Sequence, residues 1–200
     1  MQDISTFINS FKNTELARPT NFDVSIRIPT ELSLSYVTFG TNLQLRCEAA
    51  QFPTRTFAMV EQKTYGPIRF FPIQSSFENL TLTFLCSDNM IEKKFFDNWM
   101  NYISPVTKNI ANPVNIINNR AYYDFQYKDD YQTEITITQN DLTGKPSYAI
   151  QLIEAFPVSV NQLDLNWSYV DTVHKVSVTF SYRTFETILD LTDPKNLTIF

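Results

Sequence analysis

A mainly β fold of roughly seven to nine short strands, closed as a sandwich or barrel with a helix attached, follows from three features of the chain. The first is a period of two near the C-terminus. Leu163, Leu165 and Trp167 alternate with Asp164 and Asn166, and Val176, Val178, Phe180 and Tyr182 alternate with Ser177, Thr179 and Ser181. Each such strand has one apolar and one polar face. The second is punctuation at short intervals by Pro29, Pro53, Gly66-Pro67, Pro72, Gly144 and Pro146. The third is that apolar residues at helical spacing occur in two segments only, 3–13 and 87–103.

Taken in order, residues 3–13 form a short amphipathic helix. Asp3 is its N-cap, and Ile4, Phe7, Ile8 and Phe11 lie on one face. LARPTN (16–21) is a linker. FDVSIRI (22–28) is a strand with Phe22, Val24, Ile26 and Ile28 on one side, ended by Pro29. Residues 32–36 and 43–48 are further short strands, the second with Leu43, Leu45 and Cys47 on one side.

Residues 50–76 are less regular and carry three prolines. A segment this long in a domain is usually functional or disordered. Its aromatics, Phe52, Phe57, Tyr65, Phe70 and Phe71, argue against disorder. The segment is a long hairpin or an extended arm, and it reads as an arm that orders against a neighbouring subunit; a lid over the chain's own core is the alternative.

FENLTLTFLC (77–86) is a central strand. The segment 87–103 is the strongest helix, capped by Ser87 or Asp88, with Phe95, Trp99 and Ile103 on one face and Phe96 and Met100 beside them. Lys93 and Asp97 support it at i,i+4, and Pro105 stops it. Residues 104–120 are Asn-rich and aperiodic. Residues 121–127 are irregular or a bent strand, and Asp129-Asp130 is a turn. Strands follow at 134–138 and 149–154, then the C-terminal pair at 163–167 and 176–182. The tail 191–200 is an extra strand or an exposed arm. The whole is one domain, 1–200, with an N-terminal helix and linker over 1–20, the arm over 50–76 and an extension over 187–200.

Composition narrows the function. Charged residues make up 18%, below the roughly 25% typical of soluble domains. Much of the surface therefore faces either protein or a polar uncharged exterior. The net charge is −5, and residues 121–200 hold 11 acidic against 5 basic side chains. Such a chain is a poor nucleic-acid binder, because neutralising phosphates needs Lys and Arg. Arg46, Arg55, Lys63 and Arg69, in or near the arm, pair with the acidic C-terminal part of another copy or are ordinary solvated surface.

No run approaches the ~18 apolar residues of a membrane span. MQDISTFINS lacks the basic and apolar regions of a signal peptide, so the chain is expected to be made and folded in a cytoplasm. Cys47 and Cys86 read as small buried hydrophobes with no metal motif around them. His174, the single histidine, reads as a surface or interface residue; a hydrolase would need a nucleophile elbow, and no G-x-S-x-G is present. Three glycines exclude phosphate-cradling Gly-rich loops. No catalytic, cofactor or metal site is expected.

Several segments together resemble the tail tube proteins of contractile-tailed bacteriophages. They are LARPTNFDVSI (16–26), LRCEAAQFP (45–53), FENLTLTFLCSDNMIEKKFFDNWMNYI (77–103), YYDFQYKDDYQTEITI (122–137) and the C-terminal strand pair. Each is weak alone; their order and spacing over 16–186 carry the resemblance. The resemblance implies two packed antiparallel sheets with a flanking helix, and sheets that join between subunits into a barrel lining a tube. It implies a structural virion protein and no enzyme, a subunit of hexameric rings that stack into the inner tail tube. The implied partners are further copies of the chain, the tail sheath, the baseplate tube-initiator and the tail terminator, with tape-measure protein and DNA in the lumen, bound without sequence specificity, and no membrane insertion. The implied location is the phage tail. The same fold also serves baseplate tube-initiators and tubes of related contractile injection and secretion systems. A monomeric β-sandwich binding module is the reading from another class.

Overall fold

In a computed structural model of the chain, the described residues are 16–30, 32, 43–106, 124–168 and 170–190, with Ile4 besides. Their elements run β1 (Phe22–Ile26), β2 (Cys47–Ala49), β3 (Arg55–Gln62), β4 (Arg69–Phe77), β5 (Leu80–Leu85), α1 (Ile91–Ile103), α2 (Lys128–Tyr131), β6 (Thr133–Asn140), β7 (Pro146–Val160), β8 (Lys175–Ser181) and β9 (Thr184–Asp190). The expected helix 3–13 apart from Ile4, the strand 32–36 apart from Leu32, and segments 107–123 and 191–200 lie outside the described residues. Of the expected extension 187–200, residues 187–190 are the end of β9.

The fold is mostly β, and its spine is β7, 15 residues long. The first half of β7 pairs with β6 on one flank, and β6 pairs with β1. From Phe156 to Val160 it pairs with β8, which continues to β5 and then β2. β9 pairs with Tyr148 to Ile153 of β7. All these pairings are antiparallel. Strands β8 and β9 thus run together against the whole of β7, and the seven strands form two sheets that share it, nearly closed into a barrel.

β7 passes from one sheet to the other at Glu154, whose φ of 57° lies in the left-handed region that a side chain disfavours. Three contacts hold it there. The Glu154 carboxylate pairs with Lys128 Nζ and with Arg183 Nε, each at 2.5 Å. The Arg183 N–H donates to the carbonyl of Ile153 at 3.1 Å.

One core fills the space between the sheets. Val24, Ile26, Ile135, Ile137, Ile150 and Leu152 enter from the first sheet, and Leu80, Leu82, Phe84, Val176, Val178 and Phe180 from the second. Helix α1 closes it with Phe95, Phe96 and Trp99, all fully buried. The rings contact in a chain, Phe84 to Phe96 at 5.2 Å and Trp99 to Phe180 at 6.1 Å. Trp99 Nε1 donates to the carbonyl of Tyr131 at 3.0 Å, so the one polar atom of that buried ring is satisfied.

Several expectations are corrected. Residues 161–166 are not a strand, and Leu165 and Trp167 stand in solvent. The physical reason is that β8, the strand it was expected to pair with, is already flanked by the second half of β7 and by β5. Residues 43–45 are helical, and only Cys47–Ala49 pairs as strand. Leu43 is buried (1% exposed) while Leu45 is 82% exposed, which no one-faced strand would produce. Asp129 and Asp130 lie in the short helix α2 rather than a turn. Neither Ser87 nor Asp88 caps α1, because the N-cap is Met90 in the left-handed conformation. Residues 50–76 are more regular than expected, and of the two forms open to them they take the long hairpin, β3–β4.

Candidate assembly surface

The hairpin is built from eight and nine residues paired antiparallel, with a bulge where Ala58 and Met59 meet Gln74 and Pro72. The bulge admits Pro72, which has no N–H for the ladder. Gly66, at φ 104°, makes the turn. Hydroxyl and guanidinium groups tie the strands across: Thr56 Oγ1 to Ser76 Oγ at 2.7 Å, and Arg55 Nε donating to Ser75 Oγ at 2.9 Å. Arg55 also lies over the Phe57 ring, 4.9 Å from its centre.

The roots of the hairpin are fixed and the rest is free. Phe77 packs edge-on to Phe185 at 5.5 Å and against Tyr182 at 6.1 Å. Phe52 packs edge-on to Tyr148 at 5.7 Å. Beyond those anchors every residue of β3, and every residue of β4 before Phe77, is exposed. By the pairing register Phe57, Met59 and Phe70 share one face, while Val60 and Phe71 share the other. A strand of eight residues reaches about 25 Å, so this is an apolar ribbon that stands in water on both sides. A lone two-stranded ribbon is marginally stable at best, and a patch of this kind marks a contact surface.

Two further features are left open. Among the described residues β1 pairs only with β6, β9 only with β7 and β2 only with β5, so each keeps one unpaired edge. The loop 161–174 exposes Leu165, Trp167, Val170 and Val173. His174 sits half-buried where this loop re-enters the sheet, its carbonyl accepting from the Cys86 N–H at 2.9 Å.

The cations near the arm divide into two kinds. Arg46 is engaged within its own chain by the buried carboxylate of Glu92, and Lys63 pairs with Glu61 at 3.1 Å. Arg55 and Arg69 have no carboxylate partner among the described residues. Glu92 was not singled out in the sequence; Ser-x₄-Glu ahead of an apolar run was the available signal. Its carboxylate accepts from the Ser87 N–H and from the Ser87 hydroxyl, both at 2.8 Å. Burial alone would raise it, but the Ser87 bonds and Arg46 outweigh burial and hold it below the usual glutamate range.

Cys47 and Cys86 are free thiols, both partly buried. Burial pushes the Cys47 thiol up to about 12 against a weak bond to the Ala49 carbonyl, so it stays protonated. Among the described residues no group of three or more His, Cys, Asp or Glu is placed to hold a metal ion, and no helix is long and apolar enough to cross a membrane.

An exposed apolar ribbon on anchored roots, together with open sheet edges, defines a subunit made to be covered by other chains. The family comparison agrees: the chain belongs to the phage tail tube protein family, whose model matches residues 17–188. It is a structural component of the virion tail. Among solved structures it is similar to a chain of the anti-feeding prophage baseplate (12% identity, TM-score 0.59, covering 90% of this chain and 99% of that one). It is also similar to a chain of the sheath-tube complex of an extracellular contractile injection system (13% identity, TM-score 0.57, 90% and 95% covered). A third is from the tube terminating cap of the anti-feeding prophage (14% identity, TM-score 0.53, 87% and 91% covered). At these identities the likeness is one of fold. The comparison with curated proteins finds no match.

Proposed function

We propose that this chain closes into hexameric rings that stack as the inner tube of a contractile tail, through whose bore the genome passes. The observation that carries the reading is the β3–β4 arm, apolar and exposed on both faces while rigidly rooted. A neighbouring subunit covers it and supplies the packing that a free ribbon lacks. Ring closure pairs the open edges of β1, β2 and β9, which removes an aggregation hazard from the assembled state.

The chemistry of the wall fits passage rather than binding. Strands β6 to β9 come from the part of the chain with 11 acidic and 5 basic residues, so their surroundings repel phosphates. On the outer face of β5 and β8, hydroxyls pair across the strands, Thr81 with Thr179 at 3.3 Å and Thr83 with Ser177 at 3.1 Å. The sheath lies outside the tube, the baseplate tube-initiator and the terminator cap its ends, and tape-measure protein then DNA occupy the bore. The chain catalyses nothing.

Negative-stain electron microscopy of the purified protein over a concentration series tests this. Six-fold rings and hollow tubes that lengthen without limit are the expected result. Single rings that never stack would assign the chain to the baseplate end of the tube. A monodisperse monomer at high concentration, unchanged when a baseplate template is added, would refute the tube role.

A further inference from the structure

We propose that the root of the β3–β4 arm is a latch, in which the Glu78 carboxylate swings from solvent onto the hydroxyl of Tyr182 when a neighbouring subunit covers the arm. This rests on the tube reading above and adds a switch to it. Glu78 and Asn79 lie between β4 and β5, so they form the link on which the arm stands. Tyr182 directly follows β8 and is 8% exposed. Its ring packs on Phe77, the last residue of β4, at 6.1 Å. Its hydroxyl oxygen is buried and makes no hydrogen bond among the described residues. A buried polar atom left in that condition disfavours the state that contains it.

The strand register names the partner. Thr81 pairs with Thr179 and Leu80 with Phe180, each step back along β5 being a step forward along β8. Continued in the same way, the register sets Asn79 against Ser181 and Glu78 against Tyr182. Opposed residues of an antiparallel pair share a face, with Cβ atoms about 5 Å apart. Leu80 and Phe180 face the core, and Tyr182 follows them inward. Glu78 does not. β5 begins only at Leu80, and Glu78 is turned out into solvent, its carboxylate making no hydrogen bond or ion pair among the described residues. The pairing therefore stops short of the position that would join an unpartnered donor to an unpartnered acceptor. Burial and the Glu78 charge both push the Tyr182 phenol up, so it holds its proton and is the donor.

Assembly supplies the drive. In the single chain Glu78 is exposed, and water solvates its charge. A subunit packed over the arm root removes that water, and a charge-assisted O–H···O⁻ bond from Tyr182 replaces it. Phe77 and Phe52 keep their ring contacts with Phe185 and Tyr148 while the link re-seats. The same hydroxyl thus weighs against the free chain and in favour of the assembled one.

Tyr182→Phe, Glu78→Ala and the double variant test the latch in the full chain, by the thermal midpoint of the unassembled protein and by the concentration at which light scattering reports assembly. Tyr182→Phe is expected to leave the midpoint at or above that of the wild type, because the hydroxyl it removes has no partner in the free chain. It should raise the concentration needed for assembly about tenfold. Glu78→Ala should raise that concentration by a similar factor, and the double variant no further, since both changes remove one bond. A lower midpoint for Tyr182→Phe overturns the latch, because the hydroxyl is then bonded in the free chain. Assembly of either single variant at the wild-type concentration also overturns it, as do single effects that multiply in the double variant. Each of these three results leaves the tube reading standing. A wild-type chain that forms no assembly overturns the tube reading and this proposal together.

Discussion

Glu92 joins three parts of the chain through one carboxylate. Its oxygens take both Ser87 donors and the Arg46 guanidinium, so the β5–α1 turn and the segment before β2 are held to the start of α1. It reaches back from inside the helix to Ser87, three residues before the N-cap Met90, which itself makes no side-chain cap bond. Because its folded-state pKa is lowered, the native state binds its proton less readily than the unfolded chain does. Its stabilisation is therefore fully present above the ordinary value of 4.5 and is lost as pH falls through the lowered native value. Glu92→Gln should cost about 2–3 kcal/mol near neutral pH and should flatten the loss of stability at acid pH. Urea unfolding of both proteins as a function of pH measures it; parallel pH curves would show that another carboxylate governs the acid limb.

The arm and helix α1 show opposite relations between an element and the core. α1 is amphipathic, and its Phe95, Phe96 and Trp99 are among the largest fully buried side chains. The arm contributes only its roots, Phe52 and Phe77, to aromatic contacts with Tyr148, Tyr182 and Phe185. Replacing residues 55–76 by a short Gly-Ser linker that retains both roots should therefore leave the thermal midpoint of the monomer unchanged. It should abolish rings and tubes. Calorimetry with electron microscopy checks both halves, and normal tubes from the truncated chain would remove the arm from assembly.

At the scale of the molecule, β7 makes two sheets into one cooperative unit. It contributes Ile150 and Leu152 to the core on one side of its bend, and on the other it pairs with β8, which supplies Val176, Val178 and Phe180. No boundary in the described residues separates the sheets, so neither can open without breaking β7 from its partners. The monomer should unfold in a single calorimetric transition, with van't Hoff and calorimetric enthalpies equal. Two resolved transitions would show that the sheets are stabilised independently.

The sequence by itself determined what is local. Alternation in 22–26, 80–84, 134–138 and 176–180 reports which side chains face the core, and in the structure Val24, Leu82, Ile135 and Val178 do so. The 3.6-residue spacing of Phe95 and Trp99 located α1, and the prolines and aromatics of 50–76 marked a segment set apart from the core. Tertiary structure alone decided what depends on partners far along the chain. Leu163, Leu165 and Trp167 alternate as well as any strand, yet β7 and β5 already occupy both edges of β8, and the segment became an exposed loop. Leu43 and Leu45 carry the same pattern, but only Leu43 is buried. The bend at Glu154 likewise depends on Lys128 and Arg183, which come from α2 and the β8–β9 connection. Periodicity is a property of a few consecutive residues; an available strand edge, a charge brought from elsewhere and an uncovered ribbon are properties of the packed chain.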